Sequence, residues 1–358
     1  MKKVLLLLSL FIVVTMSAKA GTTALVDTGK VAAPAPPDPP LVFSGSVDTY
    51  YKYDFSGHNN IGFPGAGGTY FANEQNSISI GMIDLALKKK VGKAAFVGEL
   101  SFGPRSDASI PNSGYHIQNL YVSYDVTDKF NLTAGYMATF LGYEVISPAG
   151  NFNYSTSYLF SYGPFQNAGF KATYAFSDKV SLMAGIFNNY WNTYTSFRPI
   201  GESDAASGDV STFGAQLMVA PAKGWTAYVN FLTGSYSGTE IDLTTAYQIT
   251  DAFKLGLNAA SFTAPHNGGG FEGIALYPQL AVSKSVTFGL RGEYFKFKQG
   301  GPDVKSFTIT SNIKAGPLTF IPEVRIDGAS IDTFGFTKGD GSPTKSAGQF
   351  VLAAVYAF

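Results

Sequence analysis

DVTDKFNL (Asp125–Leu132) and AFSDKVSL (Ala175–Leu182) say the same thing twice: a strand ends, a short polar turn follows, and an aromatic or β-branched residue opens the next strand. Two further copies are QITDAFKL (Gln248–Leu255) and AVSKSVTF (Ala281–Phe288). A supersecondary unit recurring in this way is an internal hairpin repeat. Away from the turns the dominant period is two. In Leu41–Phe55, Phe43, Val47, Tyr51, Tyr53 and Phe55 fall on one face, and Ser44, Ser46, Asp48, Lys52 and Asp54 on the other. Side chains alternate across a strand, so one face is apolar and one wet.

The same split recurs over Ala94–Gly103, Ile117–Val126, Phe130–Phe140, Asn167–Phe176, Val180–Asn189, Thr212–Val219 and Trp225–Gly234. It continues over Ile241–Ile249, Phe253–Phe262, Gly273–Val282, Val286–Lys296, Lys305–Lys314, Leu318–Asp327 and Gly348–Phe358. Asn76–Lys88 completes a set of sixteen, with a phase slip at Gly81-Met82-Ile83 that marks a bulge. Seven short connections alternate strictly with eight mostly longer ones. The expectation is an all-β fold: a transmembrane antiparallel up-and-down β-barrel of about 16 strands, with short periplasmic turns and long extracellular loops. Aromatics near the turns, among them Tyr124, Phe130, Tyr174, Trp225, Tyr247 and Phe320, read as one interfacial girdle. A soluble sandwich would share the alternation, but not sixteen successive hairpin strands with the tight turns all at one end.

Composition agrees. Only 14% of the 358 residues are charged, with a formal net charge of zero, which leaves no basic footprint for nucleic acid. With no Cys, a disulfide scaffold, a thiolate metal site, a Cys nucleophile and a cysteine-linked lipid anchor are excluded. Lys2 and Lys3, the apolar run Val4–Met16 and Ala18-Lys19-Ala20 predict a secretory signal peptide over 1–20. Its removal takes away three Lys and no acid, for a mature charge of −3. Residues 21–40, with Pro34, Pro36, Pro37, Pro39 and Pro40, read as a periplasmic linker, and 41–358 as the outer-membrane barrel. No later segment is long and apolar enough for a spanning helix, which leaves the closed barrel as the way across. Phe350, Leu352, Ala354, Tyr356 and Phe358 alternate up to a terminal Phe, similar to the insertion signal of bacterial outer-membrane barrels. The expected location is the outer membrane of a Gram-negative bacterium.

Several short motifs stand out: Gly142-Tyr143-Glu144, Asn153-Tyr154-Ser155-Thr156-Ser157-Tyr158, Pro164, Gly169, Arg291-x-Glu293-Tyr294-Phe295 and Glu323-x-Arg325-x-Asp327. In these the chain resembles the OmpL-like β-barrel porin-2 family over most of 41–358. The resemblance implies an outer-membrane channel and names no substrate.

No catalytic residue, metal ligand or cofactor site is expected. His58, His116 and His266 lie in loops or at a loop edge; a lipid-acting barrel enzyme would need a Ser and a third polar group beside His116, and no partner can be assigned. The wet faces carry Lys52, Lys171, Lys254, Arg291, Lys314 and Arg325 against Asp48, Asp54, Glu99, Asp125, Asp242, Glu293, Glu323 and Asp327. A charge facing lipid costs about 2–4 kcal/mol at mid-bilayer, so these should face the lumen. Arg291 with Glu293, and Glu323 with Arg325 and Asp327, predict a ladder of ion pairs that either neutralises the wall or orients solutes.

The longest connection, Leu141–Gln166, is the third long loop. It holds seven aromatics and one charge, Glu144. So apolar a loop should not stand in water: the resemblance to porins favours folding inward, the alternative being that the aromatics cap the barrel from outside or meet a neighbouring subunit. Glu144 is then expected at the narrowest point, attracting cations, with Asn151, Asn153 and Ser155 offering hydrogen bonds to solutes. The function expected is a passive diffusion channel for small hydrophilic solutes or ions, with weak cation preference. Its partners are the outer-membrane bilayer and those solutes, and a homo-oligomer is compatible. The competing readings are a structural or adhesive barrel with surface-binding loops, and the lipid-acting enzyme.

Overall fold

The computed structural model describes residues 39–61, 68–110, 115–195 and 209–358. The expected signal peptide and nearly all of the expected linker lie outside the described residues. The first eight strands are β1 (Val42–Asp54), β2 (Ser77–Val91), β3 (Ala94–Phe102), β4 (Ile117–Thr127), β5 (Phe130–Ala138), β6 (Gln166–Ser177), β7 (Val180–Phe187) and β8 (Thr212–Ala222). Then come β9 (Trp225–Gly234), β10 (Gly238–Gln248), β11 (Phe253–Thr263), β12 (Gly270–Ala281), β13 (Val286–Phe297), β14 (Asp303–Ala315) and β15 (Leu318–Ala329). A small hairpin of β16 (Phe336–Thr337) and β17 (Pro343–Thr344) precedes the last strand, β18 (Ser346–Ala357).

Each barrel strand pairs antiparallel with its sequence neighbours, and β1 pairs with β18 from Ser46↔Ala357 to Asp54↔Gln349, closing a sixteen-stranded barrel. Closure leaves no row of unpaired backbone groups, which hydrocarbon could not satisfy. The two faces separate as the alternation requires. On β14, Phe307 and Ile309 are exposed on the outer wall, and Ser306, Thr308 and Thr310 between them are buried inside. The terminal Phe358 belongs to the closure: its N–H donates to Gly45 O and its carbonyl accepts from Gly45 N, both at 3.0 Å, and its ring meets Phe43 at 5.5 Å. At the turn end, Trp225 lies 5.2 Å from Tyr247 and Phe130 lies 6.4 Å from Tyr174, centroid to centroid.

The phase slip is a bulge. Val47 pairs with Ile83 but Thr49 with Ile80, so Gly81 and Met82 together oppose Asp48. Asp48 fills the gap, accepting from Met82 N at 2.9 Å. A Cβ on Gly81 would lie 1.9 Å from Asp48 Oδ2, so any larger residue would push the carboxylate out of the gap it fills. One link differs from expectation. β10 begins at Gly238 rather than Ile241, so the β9–β10 link is a tight turn at the loop end; Gly238 adopts φ 74°, which the turn requires.

The topology predicts accessibility. A cysteine placed at Asp340, on the exposed turn between β16 and β17, is expected to react with an impermeant maleimide on whole cells, and one at Asp178 is not. Labelling at Asp178 alone would invert the orientation.

Candidate functional site

The third long connection runs from the end of β5 to β6 and lies against the inner faces of β12–β15, β18 and β1. Two adjacent four-residue segments of it do the docking, Asn153-Tyr154-Ser155-Thr156 and Ser157-Tyr158-Leu159-Phe160. In the first, the N–H groups of Tyr154 and Ser155 both donate to Glu323, at 2.9 and 3.1 Å. In the second, those of Tyr158 and Leu159 both donate to Glu293, at 3.0 and 2.8 Å. Each tyrosine also donates its hydroxyl to an aspartate, Tyr154 to Asp48 at 2.6 Å and Tyr158 to Asp327 at 2.7 Å. Burial raises both phenols well above their ordinary range, so they stay protonated as donors.

Two arginines hold the carbonyls between these clamps. Arg291 donates to Ser155 O at 2.6 Å, and Arg325 to Thr156 O at 2.7 Å while forking onto both oxygens of Asp327 at 2.8 and 2.9 Å. The guanidinium of Arg325 also lies 5.1 Å from the centre of the Tyr158 ring. Short α2 (Tyr158–Tyr162) follows, its N-cap Ser157 accepting from Phe160 N at 3.0 Å. Buried backbone donors and carboxylates satisfy one another here, as burial of polar groups demands.

Glycines on the wall make room for the aromatic side of the loop. A Cβ at Gly289 would sit 2.2 Å from the Phe152 ring, and one at Gly256 2.3 Å from the Tyr143 hydroxyl. Gly289→Val is therefore expected to push Phe152 off the wall at a cost of about 1–3 kcal/mol, read as faster chymotrypsin cleavage beside Phe152 in the folded barrel. Unchanged cleavage would mean that the ring has room elsewhere.

Every candidate read from the sequence can now be placed. Arg291, Glu293, Glu323, Arg325 and Asp327 do share one inner face, but all are 0–5% exposed beneath the loop. They grip the loop backbone rather than form a strip open to solutes. Glu144 departs further from expectation. It is ion-paired to Arg291 at 2.9 Å and accepts from Ser157 N at 2.8 Å, so it is no free charge for passing cations. A carboxylate this buried would be too costly without a partner. Asn153 donates to Thr310 Oγ1 at 2.7 Å, Ser155 serves Arg291 and Glu323, and Asn151 pairs with Val145 within the loop, N–H to Oδ1 at 2.9 Å. The nearly balanced wall count therefore does not describe the open lumen.

Two participants escaped the sequence reading. Asp84 turns inward because of the bulge, and accepts from Ser46 N at 2.9 Å and Ser147 Oγ at 2.5 Å. Arg105 comes from α1 (Pro104–Ser109), a loop helix folded into the barrel, and donates to Ile146 O at 2.6 Å. The slip at Gly81 could have signalled the first; a lone Arg in a loop carries no such signal. His116 lies against Phe102, with centroids 4.6 Å apart and the rings tilted by 33°, and its carbonyl accepts from Ser101 N at 2.9 Å.

Beside the docked loop, space remains. A cavity of about 670 Å³ borders β3–β6 and β8–β10, with Lys171, Glu99 and Gln216 among its walls. A second of about 640 Å³ lies on the turn side, walled by β10–β15. Tyr143, Glu144 and Ala246 border both.

No curated protein matches the chain. Among solved structures it is similar to the outer-membrane channel DcaP of Acinetobacter baumannii, with 13% identity and TM-score 0.60, over 89% of this chain and 97% of that one. It is likewise similar to OprB of Pseudomonas putida, at 10% identity and TM-score 0.61 over 89% and 94%. A third is the anion-selective porin from Comamonas acidovorans, at 12% identity and TM-score 0.60 over 89% and 99%. At these identities the likeness concerns the fold. The model of one family spans residues 40–358, nearly the whole described barrel. A closed sixteen-stranded barrel of that family is an outer-membrane porin channel. The chain belongs to the beta-barrel porin-2, OmpL-like, family.

Proposed function

We propose that the protein is a passive diffusion channel for small hydrophilic solutes in the outer membrane of a Gram-negative bacterium, narrowed by its third long loop. One observation carries this reading. Two bidentate carboxylates, Glu293 and Glu323, pin the loop to one side of the wall, while cavities of about 670 and 640 Å³ remain beside it. A loop held by paired buried contacts keeps its shape as solutes pass, and barrels of 16–18 strands are wide enough for an aqueous channel. Asn151, Asn153 and Ser155 belong to the pinned segment and set its contour, with Glu144, Arg291, Glu293, Glu323, Arg325 and Asp327 as its supports.

Purified protein in planar bilayers is expected to give stepwise, ohmic currents, and liposome swelling to fall off with increasing sugar size. A folded barrel that passes neither ions nor sugars would end this reading.

A further inference from the structure

We propose that the cavity on the turn side of the third loop is an anion-binding vestibule, which selects small solutes carrying a carboxylate or phosphate through Lys254 and Lys314. The inference deepens the channel reading and rests on it. Lys254 on β11 and Lys314 on β14 both line the cavity. Neither ammonium group makes a hydrogen bond or ion pair with any described residue, so both are open to a ligand.

The register spaces them across one belt of the wall. Lys254 pairs with Gln279, Thr287 with Asn312, and Lys314 with Thr319. Through Gln279 and Gly289 the residue of β14 opposite Lys254 is Thr310, four residues before Lys314, so three steps of about 4.8 Å across and four residues of about 3.3 Å along put the two lysine Cα atoms about 20 Å apart. Gln279, Thr287 and Thr319 stand in the same belt with side chains unengaged by described residues, able to bond the hydroxyls of a polar solute.

Among the described residues lining the cavity, no free carboxylate offsets the lysines. Glu144 is the one acid lining the cavity, and Arg291 and Ser157 engage it. Glu293, Glu323 and Asp327 lie behind the loop, each holding backbone N–H groups or Arg325, and none lines the cavity. Lys171 and Glu99 line the neighbouring cavity instead, where Glu99 accepts from Gln118 Nε2 at 2.9 Å and Asn119 Nδ2 at 2.7 Å. The approach from the turn end has the same sign: the seven tight links between strands at that end hold five Lys and three Asp. A confined, low-dielectric passage focuses such a field on an entering anion.

The test uses the full-length mature barrel in planar bilayers under a KCl gradient. Wild type is expected to prefer chloride, and Lys254→Gln with Lys314→Gln to lose that preference; Lys298→Gln, at the loop end, should leave it unchanged. Inorganic phosphate and succinate are tested separately as blockers, to distinguish the two anion chemistries. Loss of both lysines should weaken block by about tenfold, as two charge-assisted contacts disappear. A conducting channel that prefers potassium, or whose reversal potential ignores the double substitution, would overturn the vestibule and leave the channel standing. A silent barrel would sink the channel reading; calorimetric binding of phosphate to detergent-solubilised protein, equal in wild type and double variant, would then sink the vestibule as well.

Discussion

Arg291→Met is expected to undock the third loop while the barrel stays closed. The guanidinium is fully buried and makes four contacts: Glu144 at 2.9 Å, Ser155 O at 2.6 Å, Ser155 Oγ at 3.1 Å and Thr308 Oγ1 at 3.3 Å. Methionine fills part of the volume but leaves Glu144 buried without its cation and Ser155 O without a donor. Removing one partner of a buried pair costs about 3–5 kcal/mol, more than one ordinary hydrogen bond contributes. The barrel does not depend on this pair, since its strands are held by the closed ladder of backbone hydrogen bonds. The cost therefore falls on the loop. Chymotrypsin should cut near Tyr154 and Tyr158 in the folded protein, where wild type resists, and single-channel current should become noisier. Adding Glu144→Gln removes the stranded charge and should restore much of the protection, a coupling that a double-mutant cycle measures. Full protection in the single variant would show that the ion pair contributes nothing to docking.

Deleting Asn151–Ser157 should have the larger effect on transport. The segment carries the first clamp, the Asn153–Thr310 contact and both carbonyls gripped by the arginines. Without it, unit conductance is expected to rise about twofold, because an unobstructed barrel of this strand number is an open aqueous pore. The deletion also strips the loop donors from Glu323 and Asp48, while Arg291 and Arg325 keep Glu144 and Asp327 as partners, which leaves acids in excess on the uncovered wall. Ion preference should therefore move toward cations, and less so at high salt, where screening shortens the reach of wall charges. Unchanged conductance in a folded deletion variant would remove the loop as the constriction.

These expectations rest on contacts of very different visibility in the sequence. The barrel was legible because alternation is a local property: each strand declares its two faces within about ten residues, and each tight turn declares itself within about three. Even the bulge at Gly81-Met82 showed as a slip in phase. The aromatic third loop announced that it could not stand in water.

What it would meet was not legible. Tyr154 and Glu323 are 169 residues apart, as are Tyr158 and Asp327, and no local pattern joins them. The alternation assigned Arg291, Glu293, Glu323, Arg325 and Asp327 to the inner face correctly, yet a face has no record of what will cover it. Glu144 read as a free charge because its partner lies 147 residues on. Sequence alone determined the wall, through side-chain periodicity. Tertiary structure alone decided which wall charges are consumed by the loop and which, such as Lys254 and Lys314, stay open to water, because burial is set by what packs on a strand rather than by the strand itself.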